Sequence, residues 1–157
     1  MSRETRKPAR PKCFLRQMRE FIQSALIESK VEATILKQKE AEELRAFIED
    51  RYASSRGDSP LWERLKDSAS VHREDGWLKA CEFVRERESV LFFDKLECAA
   101  MWRFRSGDDV LRVLRECPAL EFYIMGPDAS FVLCHNHHDY LIGVGACKPW
   151  LDELGQE

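Results

Sequence analysis

The sequence has no C-x-x-C pair, no glycine-rich phosphate loop, no G-x-S-x-G elbow and no internal repeat. The first absence argues against zinc ribbons and thioredoxin-type redox chemistry, which need closely spaced thiols. The next two argue against P-loop enzymes and α/β-hydrolases, whose chemistry depends on those backbone turns. Without a repeat, solenoids and propellers are not expected. No apolar run approaches the roughly 18 residues that a membrane-spanning helix needs, and no apolar signal-peptide core follows the basic start. The sequence therefore predicts a cytoplasmic chain that makes no use of a membrane. A dominant charge is also missing: a formal net charge of -3 gives no reason for strong overall attraction to nucleic acid or anionic lipid.

What is present suits a folded protein. Of 157 residues, 44% are hydrophobic and 34% charged, with nine Phe and four Trp, which is enough apolar material to offset the entropy of ordering one chain. The six cysteines, at 13, 81, 98, 117, 134 and 147, are scattered, several among apolar neighbours where a free thiol behaves as a small hydrophobe. That pattern suits a reducing compartment. Residues 2–12 carry five basic side chains against one acidic, with two prolines that discourage helix. Residues 1–12 are read as a basic flexible tail able to touch an acidic partner or nucleic acid, and residues 13–157 as a single α+β domain.

Hydrophobic spacing divides the chain into two regimes. Phe14, Leu15, Met18, Phe21, Ile22, Ala25 and Leu26 recur at three and four residues and predict a helix over 14–27. A second helix is predicted over about 32–52, a short one in LWERLKD capped by Ser59, and another over about 75–87. The period then shortens. SVLFFD (89–94) and AMWRFRSG (100–107) read as strands that pair, with Arg103 and Arg105 on the outer face of the second. Ser106 to Asp109 supplies a cap and acidic first turn for a helix that Pro118 ends. LEFYIM, SFVLCHN and HDYLIGVG read as three further strands, and ACKPWLDEL as a short closing helix. The expected fold is α+β: N-terminal helices on a mostly antiparallel sheet of about five strands, with one inserted helix.

Three of the four histidines fall in CHNHHDY, residues 134–140. On an extended strand His135, His137 and Asp139 would share one face, offering zinc or iron two imidazoles and a carboxylate, with His138 or Cys134 nearby. A tight hairpin competes with that reading. Asn136 and Asp139 suit turn dihedrals and can bond the turn's own backbone, which leaves His137 and His138 at the tip and returns Tyr140 to the sheet. Gly143 and Gly145 would then admit a close neighbour such as Trp150. Catalysis by Cys134 with an adjacent histidine is disfavoured because neighbours on a strand face opposite ways.

The segment EFYIMGPDASFVLCHNHHDYLIGVGACKPWL, with SVLFFD and the W-x-F strand before it, resembles a family of small uncharacterised bacterial domains over about residues 88–151. That resemblance implies a compact partner-binding protein of immunity or defence type, in which the N-H-H-D motif carries no established catalytic role. The leading expectation is thus a cytoplasmic interaction protein without a cofactor and with no assigned catalytic residue, binding another protein through Arg103, Arg105, His137 and His138. The alternatives are a metal-dependent enzyme using His135, His137 and Asp139, and a subunit of a nucleic-acid-associated assembly that uses the basic arm.

Overall fold

The computed structural model describes residues 15–157, so the basic tail and Phe14 lie outside the described residues. Helix α1 (Leu15–Ser29) leads into a two-residue strand β1 (Thr34–Ile35) and helix α2 (Gln38–Tyr52). Helix α3 (Leu61–Arg64), strand β2 (Ala69–His72) and helix α4 (Gly76–Phe83) follow, then strands β3 (Ser89–Phe92) and β4 (Trp102–Phe104). Helix α5 (Gly107–Arg115) is inserted before β5 (Phe122–Met125), β6 (Phe131–His135) and β7 (Tyr140–Gly145), and α6 (Lys148–Leu154) closes the order.

Among the described residues all seven strands form one antiparallel sheet in the order β1-β4-β3-β5-β6-β7-β2. The α+β class matches the sequence reading; the count of about five strands does not. The two additional strands are β1 and β2, one at each edge. The helix expected over 32–52 is shorter than read, because residues 34 and 35 pair with Trp102 and Arg103 and Leu36 N–H donates to Met101 O. The helix expected over 75–87 spans only Gly76–Phe83.

Side-chain alternation splits the sheet's two faces into two cores. Leu91, Phe122, Ile124, Leu133 and Leu141 join the larger one, covered by α1, α4, α5 and α6. Phe92, Tyr123, Val132, Cys134 and Ile142 face α2 and α3 in the smaller one. With both faces covered, β3, β5 and β6 are buried along their whole length, which is why their sequences are apolar apart from Ser89 and His135 at two ends.

Helix α5 forms as its sequence suggests. Ser106 Oγ accepts from Asp109 N–H at 3.2 Å, with Asp108 and Asp109 in the first turn and Arg112 and Arg115 in the last, which complements the helix dipole. Helix α3 departs from the sequence reading. Its Leu61 N–H donates to Asp94 Oδ1 at 2.8 Å, and Trp62 N–H to the Tyr123 hydroxyl at 3.1 Å. Ser59 makes no side-chain cap there; its carbonyl accepts from Arg64 Nε. The close neighbours at the β7 glycines also differ from expectation. A Cβ on Gly143 would run into Cys147 and Leu151, and one on Gly145, at φ +75°, would meet Ser130 O and the Tyr52 hydroxyl, so the aromatic nearest Gly145 is Tyr52.

Candidate functional site

The β6–β7 hairpin turns at the histidine-rich segment. Asp139 N–H donates to Asn136 O at 3.1 Å and Asn136 N–H to Tyr140 O at 3.0 Å, which closes the turn. Asp139 takes the left-handed conformation at φ +61° that such a three-residue loop needs, and aspartate tolerates it better than most residues. Asn136, only 3% exposed, aims its side chain back into the loop: Oδ1 accepts from the N–H groups of both His138 and Tyr140, each at 3.0 Å. The turn is thereby fixed from inside.

That geometry separates the three residues a metal would need. The strand alternation that would align His135, His137 and Asp139 stops at Asn136. His135 is fully buried and faces α4, where its Nε2–H donates to Arg73 O at 3.2 Å and its ring lies against Gly76. Asp139 Oδ1 stays 3.7 Å from His135 Nε2. His137 turns the other way: its backbone N–H and its Nδ1–H both donate to Glu121 Oε1, at 3.1 and 2.8 Å. Among the described residues no group of three or more His, Cys, Asp or Glu is placed to hold a metal ion. Cys134 is fully buried, and burial pushes its thiol well up, away from the thiolate a nucleophile requires.

What the turn does build is a small aromatic platform. The rings of His137 and His138 lie 3.9 Å apart, and each meets Trp62 of α3 edge-on at 6.1 Å. His137 is half exposed, while Glu121, its anchor, is buried. Trp62 is itself half-buried, and its Nε1 is shut from solvent without a hydrogen-bond partner. Beside the tip, Tyr140 is exposed and packs on His72 of β2 with ring centroids 4.9 Å apart. The polar groups under the platform run back into the fold, because Trp62 N–H rests on the Tyr123 hydroxyl, which donates to Asp94. Burial keeps that phenol protonated and raises the Asp94 carboxyl.

Arg103 of β4 lies elsewhere, toward the β1 edge of the sheet, and Arg105, expected on the same strand, falls in the bend just past its end. Arg103 sits between Glu88 and Glu40, at 3.4 and 3.6 Å, so its charge is met within the chain; Arg105 is exposed. The sequence therefore identifies His137 and His138 as the tip but misses Trp62 and Glu121, which hold them. Trp62 reads as an inward-facing helix residue, and nothing in the local sequence of Glu121 ties it to a histidine sixteen positions on.

No curated protein and no solved structure matches the chain. A family model does match, over residues 15–154, well beyond the stretch of about 88–151 in which the sequence motifs lie. That span takes in the N-terminal helices, the seven-stranded sheet and the histidine hairpin together, and it places the chain in the family of unknown function DUF6756.

Proposed function

We propose that the protein works by binding a partner protein in the bacterial cytoplasm, in an immunity- or defence-type role, with the hairpin tip as its anchor. The observation that carries the reading is the preformed platform. Asn136 locks the turn, Glu121 orients His137, and Trp62 backs both imidazoles, so little side-chain freedom remains to be lost on association. Aromatic anchors on a rigid support are the usual energetic centres of protein interfaces. The two imidazoles offer ring nitrogens to carboxylates or backbone carbonyls of the partner. The immunity or defence role is supported by the sequence resemblance alone.

The test is co-purification of the full chain from its native host, followed by affinity measurements on the recovered partner. His137→Ala combined with His138→Ala should weaken binding at least tenfold while leaving the circular dichroism spectrum unchanged. Equal affinity of wild type and double variant would remove the tip from the interface.

A further inference from the structure

A cleft of about 680 Å³ opens on the α2 face of the sheet, between α2, the turn over residues 56–59 and the loop over residues 94–100. Its size lies within the roughly 300–1,000 Å³ usual for small-molecule sites. Leu36, Ala41, Ile48, Leu61 and Phe92 give it apolar walls. Arg45 of α2 also lines it, and its guanidinium is poorly matched. It lies over the Phe92 ring at 5.6 Å and makes one hydrogen bond, from Nη1 to Phe93 O at 3.0 Å. Nη2 is buried with no partner, and no carboxylate among the described residues makes an ion pair with it.

Asp94 and Glu49 act on Arg45 only from beyond contact, and a half-buried cation with no carboxylate in direct contact and one donor unmet is costly, since buried donors are almost always satisfied. The neighbouring arginines differ. Arg64 is held by both Glu49 oxygens and Arg56 by Asp50, so their charges are already met. Burial correspondingly lowers the Arg45 pKa, whereas the bond to Glu49 raises that of Arg64. Across the lining, five cationic side chains stand against four acidic ones, a balance that suits a single negative charge better than a phosphate dianion.

We propose that this cleft binds a small organic monocarboxylate with an apolar body, its head group pairing with Arg45 and its body lying on the apolar walls. With Nη1 held by Phe93 O, the unmet Nη2 is the donor that would turn to the carboxylate, in a charge-assisted hydrogen bond. No residue of the hairpin tip lines the cleft, although Leu61 and Asp94 do and also support Trp62 from behind, and the proposal does not depend on the partner-binding reading.

The experiment is calorimetric titration and thermal-shift measurement of the full chain with hexanoate and phenylacetate as probes, and hexanol and inorganic phosphate as controls. Saturable binding of at least one carboxylate, with hexanol and phosphate inert, is the expected result. Arg45→Met, which keeps the stem and removes the charge, should weaken it at least tenfold. Ala99→Trp, at an exposed position on the cleft wall, should weaken it with Arg45 intact, so the proposal does not hang on one variant folding. No saturable binding of either carboxylate, binding of phosphate instead, or carboxylate affinity unchanged in both variants would overturn it.

Discussion

At the scale of single residues, Asn136 is the most consequential member of the CHNHHDY segment, although its histidines attract attention first. It is buried, and one side-chain oxygen serves two backbone donors of the turn. Asn136→Ala would strand both N–H groups, at a cost of about 1–3 kcal/mol. Asn136→Asp, which keeps the acceptor, should lose less than half of that in urea denaturation. If both substitutions cost the same, shape rather than hydrogen bonding fixes the turn. The turn itself is legible in the sequence, because Asn and Asp are the residues that tolerate its dihedrals. The division of labour is less so: Asn136 supplies the side-chain bonds, while Asp139 supplies the positive φ. Glu121 cannot be read at all. A glutamate at the start of an apolar strand looks like a solvated end, and only the three-dimensional fold brings it under His137.

At the scale of elements, α3 shows how a helix too short to stand alone is held by its surroundings. Its four residues have no side-chain cap of their own, and their first amides rest on Asp94 and Tyr123, whose positions the sequence gives no reason to connect with it. This support carries a pH signature. Burial is the largest influence on Asp94 and raises its carboxyl pKa, with the Leu61 N–H and the Tyr123 hydroxyl acting against it. A folded-state pKa above the unfolded value makes a contribution to stability that is complete below the unfolded pKa of about 3.9. That contribution is lost as pH rises through the folded value. Asp94→Asn retains an acceptor for Leu61 and removes the titration. The stability of wild type relative to Asp94→Asn should therefore fall as pH rises above about 4. Urea denaturation across that range checks it; a difference that grows with pH would mean that the ionised carboxylate's bonds outweigh its desolvation.

At the scale of the whole molecule, the central strands are legible and the edges are not, for a physical reason. β3, β5 and β6 lie inside the sheet with both faces covered, so their apolar runs announce them. β1 is two exposed residues and β2 is only half-buried, so neither carries a pattern strong enough to read; pairing with β4 and β7 makes them strands. The cleft beside Arg45 was equally invisible, because Arg45, Phe92 and Asp94 meet only through the packing of α2 on the sheet.

The same layering sets an order of opening. Helix α2 buries only Ala41, Ile48 and Tyr52 in fifteen residues, has no side-chain cap from Lys37 before it, and has the cleft beside it. Its C-terminal end is better held, where the Tyr52 hydroxyl donates to Ala129 O at 2.7 Å and Glu49 grips Arg64. Helix α5 buries Gly107, Val110, Val113 and Leu114 in nine residues and is capped by Ser106. Sparse apolar burial lowers the free energy of local opening. Native-state hydrogen exchange should find the first two turns of α2 exchanging fastest among the helices α2, α4 and α5, with protection rising toward Tyr52. If a carboxylate occupies the cleft, it should slow those same amides first, because it ties Arg45 to the walls that α2 otherwise touches lightly. Equal protection of α2 and α5 in the unliganded protein would mean that both faces of the sheet open together, and that the cleft is as rigid as the core behind it.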